Sequence, residues 1–339
     1  MLELSVTTAC VVFAVSAAVI AVAGSYLSRI ADRLADRTRL GEAVAGAVLL
    51  GATTSIPGTV TSVVAAADGN VDLAASNALG GIAAQTAFLA IADMVYRRAN
   101  LEHAAASAAN LTQSTLLILM LAIPLVAVHT PAVTVLGVHP ATVVLLFAYV
   151  AGLRMAGRDR DNPMWQPIVT RHTRRDEPED DGDHRPLWQL FAVFAALAAT
   201  IGGAGMMVAR TGIVIAERTG LGETVVGTLL TATATSLPEL VTTVAAVRQG
   251  ALQLAVGGII GGNVFDVLFL SAADVAYRDG SIYHAIGAGS LFWAMVGLVM
   301  TAVLLLGLIR REEHGVANIG FESALLLLIY AGAVALMVL

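Results

Sequence analysis

The sequence predicts an all-α polytopic membrane protein, ten transmembrane helices arranged as two inverted five-helix repeats. Three observations predict this fold class. First, 57% of the 339 residues are hydrophobic and only 13% charged, with a mean hydropathy of +0.80, far from the usage of soluble domains. Second, ten apolar segments fall near 5–27, 41–66, 71–95, 104–128, 132–153, 188–209, 222–247, 251–277, 282–309 and 319–339, each about long enough to cross a bilayer core. Third, a gapless shift of 181 residues lays Leu40–Asp93 on Leu221–Asp274 with 22 of 54 positions identical, the mark of an internal repeat. Five spans separate the two copies. That number is odd, so the second copy is inverted in the membrane.

The first segment could pass for a signal peptide, because Ala21-Val22-Ala23-Gly24 resembles a cleavage site. Its start carries Glu3 and no positive charge, and its apolar core is too long, so a retained helix is expected. The repeat then begins: Leu40-Gly41-Glu42 falls on Leu221-Gly222-Glu223, and Thr54-Ser55-Ile56-Pro57 on Thr235-Ser236-Leu237-Pro238. Gly80-Gly81 meets Gly261-Gly262, Phe88-Leu89 meets Phe269-Leu270, and Asp93 meets Asp274. The chain therefore divides into a first half, 1–153, with its repeat at about 40–94, and a second half, 188–339, with its repeat at about 221–275. Residues 154–187 form a polar linker between them.

Arginine placement orients the chain, since cytoplasmic loops collect positive charge. All nineteen basic residues are Arg. With the N-terminus outside, sixteen fall in inside loops, and three (Arg210, Arg218 and Arg278) in outside loops. Both termini are expected outside, the linker in the cytoplasm, and the protein in the plasma (inner) membrane.

Several function classes are excluded. Cys10 is the only cysteine, so disulfide frameworks and cysteine-held metals do not arise. The net charge is −6 and no basic patch interleaves with aromatics, which removes nucleic acid as a partner. The seven histidines stand in loops or near span ends, with no HExxH or serine elbow, so neither an enzyme nor a cofactor is implied. Glu42, Glu223, Asp93 and Asp274 lie near span ends, where capping or pairing with Arg is the ordinary role. Glu217 and Glu322 have no motif around them, and the acidic run Asp176–Asp183 suits a solvated linker.

Chemistry concentrates at Thr235-Ser236-Leu237-Pro238-Glu239. Pro238 lacks an N–H and crowds the carbonyl of Ala234, so the helix kinks or breaks there. Glu239 adds a carboxylate at mid-membrane, where an acidic group costs about 2.5–3.5 kcal/mol without a partner. Thr235 and Ser236 share its helix face. Asp266, within Gly261-Gly262-Asn263-Val264-Phe265-Asp266, stands near the middle of the eighth span. Two acids there need a cation or a proton between them, and an oxygen-only set suits a hard cation. The first copy differs: Gly58 replaces Glu239 and Gln85 replaces Asp266, while Thr54, Ser55 and Asn77 supply hydroxyls and an amide. Glycine at 58 is expected to leave room for water or a larger ion shell. Matched broken helices in inverted repeats mark a secondary transporter with a midplane site. Plain helix packing through protonated acids and interhelical amides is the competing role for these residues.

The paired Thr-Ser-x-Pro break followed by a glycine-rich helix resembles the α-repeats of the sodium/calcium exchanger (cation/calcium antiporter) superfamily. The resemblance implies that the second and third helices of each half build the ion site, while the first helix of each half slides to switch access. Thr235, Ser236 and Glu239 match the second-repeat ligands, Asp266 the ligand on the next helix, and Thr54 and Ser55 the first-repeat hydroxyls. Gly58 stands where the family has a glutamate, Gln85 where it has an amide, and Gly81 and Gly262 where it has serine. The implied activity is secondary active antiport by alternating access, exchanging Na+, H+ or Ca2+ across a lipid bilayer at Glu239 and Asp266. The alternative is a non-transporting sensor or scaffold that keeps the fold.

Overall fold

A computed structural model describes residues 5–38, 51, 54–161, 164–173, 185–220, 222–315 and 319–338. Among them, eight helices are long and apolar enough to cross a membrane, and two shorter apolar helices complete the ten predicted segments. In chain order they are α1 (Val6–Thr38), α2 (Ile56–Ala67), α3 (Val71–Val95), α4 (Ala108–Ala127), α5 (Pro140–Asp161) and α6 (Leu187–Thr219). There follow α7 (Glu223–Gln249), α8 (Leu252–Ala276), α9 (Ala288–Arg310) and α10 (Phe321–Val338). Glu42 and the run Asp176–Asp183 lie outside the described residues.

Some boundaries move, each for a local reason. The fifth helix starts at Pro140 rather than near 132, because Leu136 (φ 55°) and Gly137 (φ 81°) close a turn bridged by Val135 and Val138. Ser107 caps α4 by accepting from Asn110 N, which delays its start beyond 104. The sixth helix runs on past 209 to Thr219, where Gly220 takes the left-handed conformation (φ 74°) and ends it. Arg210 therefore sits on α6, exposed, rather than in a loop.

Burial follows the distribution of small residues. α3 and α8 are rich in Ala and Gly and buried nearly all round, since small side chains let helices approach closely without lipid between them. They form the centre, with α2, α7, α9 and α10 packed on α3 and α2, α4, α5 and α7 packed on α8. α1 and α6 lie along each other at the side of this bundle, α1 against α7 and α6 against α2.

α7 is interrupted at the predicted place, and α2 begins at the matching one. Ser55 (φ −78°, ψ −4°) and Ser236 (φ −93°, ψ 4°) leave helical geometry in the same way, each two residues before a proline that cannot donate to the turn below. Upstream of Ser236, residues Val226–Thr231 are wound as a π-helix, a form that concentrates at functional sites.

Contacts repeat at the same shift of 181. A Cβ on Gly24 of α1 would lie 2.8 Å from Pro238 Cβ, and one on Gly205 of α6 would lie 2.6 Å from Pro57 Cβ. Asp93 accepts from Leu101 N (2.7 Å) and Gly320 N (3.2 Å); Asp274 accepts from Ile282 N (3.1 Å) and His139 N (2.8 Å). Both aspartates thus cap backbone, as expected of acids near span ends.

Candidate functional site

The breaks in α2 and α7 turn their hydroxyls and Glu239 toward the facing surfaces of α3 and α8. Seven of the eight predicted residues (Ser55, Asn77, Gln85, Thr235, Ser236, Glu239 and Asp266) line one narrow, buried cavity. The eighth, Thr54, stands beside the Glu239 carboxyl and donates to Gly51 O at 3.1 Å. All eight are buried, none more than 4% exposed. Residues far apart in sequence, from both halves of the chain, therefore meet at one point.

The two halves are joined there by direct hydrogen bonds. Gln85 Nε2 donates to Asp266 Oδ2 at 2.6 Å and reaches Ser236 Oγ at 3.1 Å. Gln85 and Asp266 are shift-equivalent positions, so the repeat pairs with itself. Thr235 Oγ1 lies 3.3 Å from Asn77 Oδ1 and donates to Thr231 O at 2.8 Å. Asn77 Nδ2 holds the first break by donating to Gly58 O (3.1 Å) and Ser62 Oγ (3.0 Å). A Cβ on Gly81 would stand 3.5 Å from Ser236 Oγ, and one on Gly262 would stand 3.5 Å from Gln85 Oε1, so these glycines keep the polar atoms in reach of one another.

Five oxygens at this junction accept no hydrogen bond of good geometry: Glu239 Oε1 and Oε2, Asp266 Oδ1, Gln85 Oε1 and Ser55 Oγ. Buried acceptors left this way are costly, each by about 1–3 kcal/mol and more for charged groups. An all-oxygen set of two carboxylates, an amide and a hydroxyl is what a hard cation takes, and a proton would equally relieve the carboxylates.

The room expected beside Gly58 is filled. A Cβ on Gly58 would collide with the Phe269 ring, with Cζ at 2.9 Å. Phe269 lines the central cavity and also a second, outer pocket that includes Thr59, Phe265 and Ala272, so its ring is the wall between the two. Phe265 braces it edge-on at 6.2 Å, and Tyr149 braces Phe265 at 5.9 Å. Sequence reasoning missed Phe269 as a site residue, although the Phe-Leu pair anchored the repeat. It also missed Ser62 and the bond from Asn263 Nδ2 to Thr86 Oγ1 at 2.9 Å.

These helices and this cavity define a polytopic all-helical integral membrane protein with a buried, oxygen-lined site between two broken helices. The chain belongs to the sodium/calcium exchanger protein family, whose profile matches residues 8–156 and 188–339. It is similar to the sodium/calcium exchanger MaX1 of Methanosarcina acetivorans, 32% identical over 42% of this chain and 40% of that protein. It also matches the inner membrane protein YrbG of Escherichia coli, 33% identical over 34% of each chain. The matched stretches thus span well under half the length of these curated relatives. Among solved structures, the sodium-calcium exchanger NCX_Mj soaked with 10 mM Na+ shares the fold at TM-score 0.67 and 17% identity, over 98% of this chain and 99% of that one. The H+/Ca2+ exchanger CAX does so at TM-score 0.67 and 13% identity, over 97% and 85%.

Proposed function

We propose that this protein is a secondary active cation antiporter working by alternating access, with Glu239 and Asp266 as the charged ligands of the transported cation. The observation that carries this reading is the group of five oxygens, contributed by both halves to one buried cavity, that accept no hydrogen bond of good geometry. Thr54, Ser55, Asn77, Gln85, Thr235 and Ser236 complete the set as neutral ligands or as the groups that hold ligands in place. Two carboxylates neutralise one divalent cation, or one Na+ together with one proton. The named relatives and neighbours include sodium/calcium and proton/calcium exchangers, which supports inorganic cations as the substrate class. With Phe269 occupying the space beside Gly58, no third carboxylate enters the site, and the reading favours Na+ and H+ over Ca2+.

The test is a flux screen with purified protein in sealed vesicles, offering Ca2+, Na+ and K+ against a pH gradient. Exchange of Na+ for H+ exceeding Ca2+ uptake is expected. Absence of any cation-coupled flux would leave the non-transporting sensor or scaffold as the better reading.

The proposed topology places both termini outside and the linker in the cytoplasm of a plasma membrane, with the second half inverted relative to the first. The charge asymmetry of the arginines supports it. In a Cys10→Ser background, Asp68→Cys is expected to label from outside and Arg171→Cys from inside, both being exposed positions. Labelling of both from the same side would refute the inversion.

A further inference from the structure

Outside the central cavity the fold buries a second group of acids. Glu102 lies in the short turn Leu101–Ala104 between α3 and α4, and Glu322 in the first turn of α10. Each is 1% exposed. Their carboxyls face each other within hydrogen-bonding reach, yet none of the four oxygens accepts a hydrogen bond of good geometry from an N–H or O–H donor. Asp93, already satisfied by Leu101 N and Gly320 N, stands next to them. Gly307 and Gly320 fit closely around the Glu322 side chain, since a Cβ on Gly307 would come within 2.9 Å of Glu322 Cδ, and one on Gly320 within 2.7 Å of it.

We propose that Glu102 and Glu322 form a second ion site, separate from the central cavity, that holds one proton shared between the two carboxyls. Two buried carboxylates in contact, with no counter-ion among the described residues, cannot both remain charged. The surrounding charges do not resolve the pair. Asp93 and Glu312 are of the same sign. Arg311 donates from Nη1 to Ile168 O and from Nη2 to His103 O and Thr173 Oγ1 at 3.0–3.1 Å, its buried Nε having no hydrogen-bond partner. Arg310 lies over the Phe321 ring at 5.1 Å. His103 is bonded to Arg311 O and Thr170 Oγ1, each at 2.8 Å.

The other half of the chain sharpens the assignment. At the shift of 181, Asp274 replaces Asp93, Tyr283 replaces Glu102 and Ala141 replaces Glu322. There the junction holds one acid, and its oxygens are bonded: Tyr283 Oη lies 2.9 Å from Thr142 Oγ1, which donates to Asp274 at 2.8 Å. The same junction is thus built once with a phenol and once with an acid pair. Only the latter can gain or lose a proton across a wide pH range. Burial pushes the Glu102 carboxyl well above the usual carboxylate range, with Asp93 and then Glu322 adding to the effect. A raised value gives the sign: the stability contributed by the shared proton is fully present at acid pH and is lost as pH rises through the folded-state value.

The experiment uses the full chain carrying Glu239→Gln and Asp266→Asn, so that the central acids cannot contribute. In difference infrared spectra across a pH titration, this background is expected to show a protonated-carboxyl carbonyl band that persists above the pH at which an ordinary glutamic acid loses its own. Its melting temperature in detergent is expected to fall from the ordinary carboxylate range up to the pH at which the band disappears, and to level off beyond it. Adding Glu102→Gln, or separately Glu322→Gln, is expected to remove the band and flatten the melting curve against pH, since an amide bonds a carboxylate without a proton. The two separate variants guard against one failing to fold. A band that survives both substitutions, or a background with no such band, would overturn the proposal. So would melting curves that shift with Ca2+ or Na+ in the background but not with pH, because they would assign a metal cation to the pair.

Discussion

Glu239→Gln is expected to abolish cation-coupled flux in sealed vesicles, and Asp266→Asn to do the same, while both variants still fold. Each substitution keeps shape and hydrogen-bonding capacity but removes one of only two charges at the cavity. Truncating one member of a buried charge interaction costs about 2–5 kcal/mol, or roughly 30-fold to several-thousand-fold in cation affinity. The cation-free protein should behave oppositely. Two oxygens of Glu239 and one of Asp266 accept no hydrogen bond of good geometry, so neutralising either relieves buried charge, and melting temperature in cation-free detergent is expected to hold or rise. Stabilisation by added cation, which follows from binding to the folded state alone, should be lost in both. Undiminished flux in either variant would place the transport site elsewhere.

The second large effect belongs to Gly58. Gly58→Glu alone is expected to impair folding, because its Cβ and the Phe269 ring claim the same space. Overpacking of this kind costs about 1–3 kcal/mol or more, and here the incoming group also carries charge. Phe269→Ala alone removes the wall between the central cavity and the outer pocket and is expected to destabilise by about 3–5 kcal/mol. The two together should compensate, the carboxylate filling what the ring vacates. Hard-cation affinity rises with ligand charge, so the double variant is expected to shift preference toward Ca2+. The measurement is Ca2+ uptake into vesicles with Na+ competing, beside wild type and both single variants. Strong wild-type Ca2+ exchange, unaltered in the double variant, would sink the charge-count argument.

Most of the site was legible in the sequence because its determinants are local or repeated. Pro57 and Pro238 announce the breaks wherever the chain goes, and a gapless shift carries Ser55 onto Ser236 and Gln85 onto Asp266. Once matched helices meet at the centre, those positions come together. Phe269 escaped because its importance lies in what it touches. Nothing about a phenylalanine seven residues after a glycine-rich stretch reveals that its ring fills the space beside Gly58, on another helix. Glu102 and Glu322 escaped for a similar reason, being distant in sequence and free of any motif. The end of α6 was misjudged because Arg210 looked like a loop residue; on the helix, its long side chain is exposed and carries the charge outward.

The contact of Gly24 with Pro238 and of Gly205 with Pro57 has a consequence for how load passes through the molecule. α1 belongs to the first half but bears on the break of the second, and α6 belongs to the second but bears on the break of the first. At each contact a glycine backbone sits directly on a proline ring, and at Gly205 the Thr61 hydroxyl also donates to the carbonyl at 3.3 Å. Such a seat resists compression. Because α1 and α6 also run along each other, a thrust on either proline is carried by both.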